Sequence, residues 1–123
     1  MKLPPFLTRT LCSKLQANWR SGLRAEKAGK EFDPVPVCKL DAPWQMTSWY
    51  LTEQDPDNPD IVFGLEVDRL RQVAAFNEFS ISDFRTYGGP AGERVERDYS
   101  AELRKTVGTL FEEAEAEFSG EPA

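Results

Sequence analysis

The side chains that most often carry chemistry are scarce in this chain. Its 123 residues include no histidine, which removes the commonest general base and the commonest partner of a serine or cysteine nucleophile. Cys12 and Cys38, the only cysteines, cannot complete a structural zinc site alone. What remains is carboxylate, with Asp and Glu together numbering 21. Paired carboxylates perform acid–base chemistry when held at a working separation, as in glycosidases. Glu53, Asp55, Glu96 and Asp98 are the candidates. A small-molecule or carboxylate-enzyme site would draw on Trp49, Tyr50, Glu53, Glu96, Arg97 and Asp98, with Arg97 clamping an anionic group bidentately. The competing reading of Arg97 is an internal ion pair with an acid of a neighbouring strand.

Two other constellations dissolve on inspection. Asp55, Asp57, Asp60 and Glu66 have part of the spacing of a calcium loop. Pro59 occupies its fifth position, Asp60 stands where glycine is required, and Glu66 falls inside an expected strand. A hairpin loop fits those residues better. Gly88-Gly89-Pro90-Ala91-Gly92 lacks the Lys-Ser/Thr of a phosphate loop and a preceding buried strand, so it reads as a turn. No metal and no cofactor are expected.

Positioning any of these groups falls to a few elements. Residues 4–19 read as a helix, with Pro4 and Pro5 in its first turn and a stripe of Phe6, Leu7, Leu11, Leu15 and Trp19. Ser21-Gly22 ends it, and 23–33 reads as loop. Residues 35–40 form a strand that Pro36 confines to an edge or a strand start. Residues 46–53 and 61–67 alternate around the polar turn 54–60, which makes an antiparallel hairpin. Residues 73–79 give a further strand. Ser80-Ile81-Ser82-Asp83 is an imperfect capping box opening a short helix through Arg85. A loop over 87–92 leads to a last strand over 93–99. Ser100 caps the final helix, along which Leu103, Val107, Leu110, Phe111, Ala114 and Phe118 recur on one face. Gly120 and Pro122 end it. The fold class is α+β: a small antiparallel sheet of about four to five strands flanked by an N-terminal helix and a C-terminal amphipathic helix. One domain spans 1–119, followed by a disordered tail over 120–123.

Composition agrees with one modest core, since 40% of the residues are apolar and 29% charged. No stretch approaches the roughly 18 apolar residues of a membrane span. Residues 1–6 lack the apolar run of a secretory signal. The two cysteines therefore read as reduced core thiols of a cytoplasmic protein. Net charge is −6 but polarised. Lys2, Arg9, Lys14, Arg20, Arg24, Lys27 and Lys30 against Glu26 leave residues 1–30 at +6, so 31–123 carry −12. The acidic whole is opposite to a nucleic-acid footprint, and cations at 9, 14, 20, 24 and 27 form no single helical stripe. Weak nucleic-acid binding through that segment is a second alternative.

From Pro36 onward the chain resembles a family catalogued as domain of unknown function 2958. Its pattern is met by Pro36-Val37-Cys38-Lys39-Leu40, then Ser48-Trp49-Tyr50-Leu51-Thr52-Glu53. Next come Asp55-Pro56, Pro59-Asp60-Ile61 and Phe63-Gly64-Leu65, and finally Val95-Glu96-Arg97-Asp98. The family's Pro-Glu-Leu-Gly-Tyr segment is missing. In its place stands Phe76-Asn77-Glu78-Phe79-Ser80-Ile81-Ser82-Asp83-Phe84, where only Glu78 and the helix start match. The resemblance implies a compact α+β fold and an origin in plasmids, conjugative elements or phages, and it implies no reaction. The leading expectation is a non-catalytic protein-binding module of a mobile element, an inhibitor of a host defence of the restriction or CRISPR kind. Its partner would be a host or element-encoded protein. Its contact surface would be the Glu face of the last helix, with Glu112, Glu113 and Glu117.

Overall fold

The computed structural model describes residues 3–120. The two alternating runs pair as a hairpin, β2 (Thr47–Gln54) against β3 (Ile61–Asp68). Around them β1 (Cys38–Ala42), β4 (Val73–Ser80) and the two-residue β5 (Glu96–Arg97) complete one antiparallel sheet in the order β4-β3-β2-β1-β5. Helices α1 (Arg9–Lys27) and α2 (Ile81–Thr86) pack on one face, and α3 (Val107–Ser119) packs on the other. This is the expected α+β architecture. Leu7, Leu11, Leu15, Leu40, Trp49, Leu51 and Val62 fill the α1 side. Leu65, Val67, Val107 and Ala114 fill the α3 side, with Tyr50, Phe111 and Phe118 against them.

A bulge in β2 decides where α1 sits. Leu51 pairs with Gly64 and Glu53 with Phe63, so Thr52 has no partner across the ladder. An extra residue reverses which side chains face which layer. Without it Glu53 would follow Trp49 and Leu51 toward α1. With it Gln54 takes that place, fully buried. Its Nε2 donates to the Pro59 carbonyl at 2.6 Å, and its Oε1 accepts from Gln16 Nε2 of α1 at 2.9 Å. The Thr52 carbonyl, freed by the bulge, accepts from Asn18 Nδ2 of α1 at 3.0 Å. Gly64 is required beside it, because a Cβ there would stand 2.1 Å from the Tyr50 carbonyl oxygen.

Several element ends differ from expectation. Residues 4–8 precede the helix: the Leu7 N–H closes a turn on the Pro4 carbonyl, and Thr8 caps α1 by accepting from the Leu11 N–H. Ser21-Gly22 does not stop α1, because Gly22 lies against the Phe32 ring and tertiary packing outweighs its weak propensity. The stop is Gly29, in the left-handed region at φ 67°. Arg24 and Lys27 in the last turn suit the negative end of the helix. At 100° per residue, Arg9, Arg20, Arg24 and Lys27 of this longer helix fall within about 60°, so four of the cations do share a stripe. The first strand starts at Cys38, after Pro36. The strand expected over 93–99 shrinks to β5 plus one bridge between Gly88 and Arg94. Ser100 does not cap a helix, since its N–H and hydroxyl both donate to Asp98 Oδ1. Thr106 caps α3 instead, and Asp33 Oδ1 accepts from the Gly108 N–H at 2.7 Å. Leu103 therefore lies before the helix. Gly120 ends α3 as expected, and Pro122 with the rest of the expected tail lies outside the described residues.

Cys12 and Cys38 are free and buried. Burial raises both thiols, Cys38 to about 12, which makes poor nucleophiles. No helix among the described residues is long and apolar enough to cross a membrane.

Replacing Gln54 by Leu keeps the bulk but strands the Pro59 carbonyl and the Gln16 amide. Urea denaturation is expected to show a loss of about 1–3 kcal/mol; unchanged stability would mean that α1 is not anchored there.

Candidate functional site

Because α1 is tied to the 52–54 end of β2, it leaves part of its own sheet face open. Thr47 and Trp49 of β2 and Glu66 and Asp68 of β3 lie there, with Glu78, Phe79 and Ser80 of β4 beside them. The short helix α2 and the residue after it supply the facing wall, Asp83, Phe84 and Tyr87. Together they enclose a half-open cleft of about 460 Å³, within the size range of ligand and peptide sites. Gln45, Leu70 and Arg71 close its far end.

Its aromatic wall is built by contact. The Phe84 ring meets Trp49 edge-on at 5.0 Å and lies 5.6 Å from Phe79. The Trp49 indole N–H donates to Glu66 Oε1 at 2.9 Å, which fixes both ring and carboxylate. The Tyr87 hydroxyl donates to Gln45 Oε1, and Gln45 Nε2 donates to Thr47 Oγ1 at 3.2 Å. Three carboxylates, Glu66, Asp68 and Asp83, face one cation, Arg71; Glu78, opposite Phe63 and two residues from Phe76, turns its side chain to the α3 face. Arg71 is bound to its own turn: its N–H donates to Asp68 Oδ1 at 3.0 Å.

A clasp at Asp60 holds α2 in place. Its Oδ2 accepts from the Ser80 hydroxyl at 2.6 Å, and its Oδ1 accepts from the Ser82 N–H at 2.9 Å and the Ser82 hydroxyl at 2.6 Å. The Ile81 N–H donates to its carbonyl. Ser80 caps α2 by accepting from the Asp83 N–H, so the cap expected at Ser80 is present. These bonds, the Ser80 hydroxyl first, hold the Asp60 carboxyl below its ordinary value.

The structure divides the six residues proposed as one small-molecule site among four places. Trp49 forms the floor of this cleft. Tyr50 points to the opposite face, against the α3 core, and with Lys39 and Asp98 it lines a cleft of about 510 Å³. Glu53, turned by the bulge, lines a separate cleft of about 450 Å³ with Phe32, Phe63 and Val107; burial raises its carboxyl above the usual range. Glu96 and Arg97 are on β5, where the Arg97 guanidinium lies 4.6 Å from the Tyr99 ring centre. The ion pair expected of Arg97 belongs to Lys39 instead, 3.2 Å from Asp98 and 3.5 Å from Asp41. On α3, Glu113 pairs with Lys105 at 2.7 Å and Glu117 with Arg69 at 3.2 Å, while Glu112 is exposed. The acid face of that helix thus presents less free charge than its sequence implies. The acids weighed for calcium also part company. Asp55 Oδ1 accepts the N–H groups of Asp57 and Asn58 in a tight turn, Asp60 forms the clasp, and Glu66 holds Trp49.

Sequence reasoning found Trp49 but missed the wall opposite it, Phe79, Asp83, Phe84 and Tyr87. The available signal was the hairpin itself, which sets Trp49 directly across from Glu66.

Residues 6–119 match the model of a family described as protein of unknown function (DUF2958). The chain belongs to that family. The match takes in α1 as well as the sheet, so it reaches further toward the N-terminus than the motifs from Pro36 onward. No curated protein and no solved structure matches the chain.

Asp60 supplies a test of how the cleft is held. A carboxyl depressed in the fold stabilises it above the unfolded value, about pH 4, and that stability is lost as pH falls through the folded value. Asp60→Ala is expected to cost about 1–2 kcal/mol at pH 7 and progressively less under acid. A gap that stays constant down to pH 2 in chemical denaturation would show that the carboxylate is not what matters.

Proposed function

We propose that this member of the DUF2958 family is a non-catalytic protein-binding module that takes up a basic segment of its partner in the cleft between β2–β4 and α2. The observation that carries this reading is the composition of the cleft: three carboxylates, Glu66, Asp68 and Asp83, around a wall of Trp49, Phe79, Phe84 and Tyr87, of which Tyr87 is exposed. An arginine side chain needs both features, carboxylate oxygens for its N–H fork and an aromatic face for its planar guanidinium. Glu66 and Trp49 are already fixed against each other, so little ordering remains to oppose binding. The mobile-element context implied by the family resemblance adds the kind of partner, a host defence protein whose nucleic-acid-binding surface is basic. Glu112 and the neighbouring acids of α3 would then add long-range attraction rather than contact.

Capture on the immobilised chain from nuclease-treated bacterial host lysate, at low and high salt, tests the proposal. One dominant basic protein is expected, released by salt. The combined variant Glu66→Gln, Asp83→Asn is expected to weaken its binding at least about tenfold. Undiminished capture by that variant would contradict the reading. Recovery of nucleic acid alone, from lysate without nuclease, would move the function to the α1 cation stripe.

A further inference from the structure

β4 is the outermost strand on its side of the sheet. The other border is blunted, since β5 pairs over two residues only. β4 runs for eight residues, contains no proline, and carries one charged side chain, Glu78. Long, uncharged edges are what folded proteins usually avoid leaving open.

The ladder shows which backbone groups face outward. Antiparallel partners alternate between hydrogen-bonded and non-bonded pairs. The Ile81 N–H donates to the Asp60 carbonyl at 2.8 Å, and that pair continues the register in which Ile61 faces Ser80 and Val62 faces Phe79. Phe79, Asn77, Ala75 and Val73 therefore bond inward to β3. Ala74, Phe76 and Glu78 turn their N–H and C=O groups to the open edge. Beside that edge Phe76 and Val73 are each 51% exposed, although the Phe76 ring stacks on Phe111 of α3 at 5.1 Å.

The strand is complementary to itself. Two copies related by a twofold axis perpendicular to the sheet pair antiparallel with Phe76 opposite Phe76. Ala74 then faces Glu78, and Val73 faces Phe79. All three outward-facing residues of each copy fall at hydrogen-bonded positions. The lone charge meets an alanine, so no like charges oppose each other. The two Phe76 rings meet at the axis and join the Phe76–Phe111 stacks of both copies. With one charge along the whole edge, nothing selects a strongly acidic or basic strand as partner. We infer that β4 joins two copies of this chain into a homodimer with one continuous sheet, the isologous arrangement commonest among oligomers. The axis keeps both acidic clefts on one side of that sheet and both α3 helices on the other. A dimer would thus present two clefts to a single extended partner.

Analytical ultracentrifugation of the intact chain, from about 1 to 200 µM, reads this directly. The expected species at the upper end has twice the 13.9 kDa mass of the chain. The amides of Ala74, Phe76 and Glu78 are expected to exchange more slowly as concentration rises. Phe76→Lys sets like charges at the axis. Ala74→Pro removes an outward N–H while sparing the bonds to β3, where proline is tolerated at edges. Each is expected to weaken association at least about tenfold with an unchanged circular dichroism spectrum. A monomer at every concentration, a dimer indifferent to both variants, or a dimer with unprotected amides at those three positions overturns the inference. Should the proline variant not fold, wild-type amide exchange decides.

Discussion

Gln54 has no exposed surface, yet both ends of its amide are bonded, one to its own hairpin and one to α1. A buried amide left unpaired costs more than the pair gains, so this side chain fixes where α1 docks. The bulge at Thr52 is what delivers it to that face. The same bulge turns Glu53 away from the core and frees the carbonyl that Asn18 meets. The helix is drawn to one end of β2, and the other end is left to α2. The cleft is the space between those two claims on one sheet face.

What stands in that space follows from local rules. Asp60 ends the hairpin turn and satisfies the exposed N–H groups at the start of α2, a helix too short to hold itself. Its position brings Phe84 onto Trp49 and Asp83 to the rim. Trp49 in turn has an indole N–H that must be paired when buried, and Glu66, its cross-strand partner, pairs it. Structural need thus places one carboxylate and one ring in fixed contact, and the remaining acids gather around them.

The sheet and its order of elements were legible in the sequence because alternation, the polar turn and the Ser80 cap are local signals. The ends were less so. Gly22 reads as a stop, and only the nearby Phe32 ring shows why it is not. Ser100 reads as a cap, but Asp98 claims it first. The bulge has no signature in the alternation of 46–53, and it parted Glu53 from Trp49. The α3 acids read as a free face because Lys105 and Arg69, which pair with two of them, lie outside that helix. Most of the cleft wall comes from 78–87, outside the two alternating runs of the hairpin.

Titrating isotopically labelled protein with an oligo-arginine peptide, and following the indole N–H signals of Trp19, Trp44 and Trp49 by NMR, tests the cleft most directly. If the cleft takes up basic side chains, the Trp49 signal shifts together with the amides of Glu78, Asp83 and Tyr87, and salt reverses it. Shifts confined to Glu112, Glu113 and Glu117, with Trp49 silent, would place the contact on α3 and contradict the account.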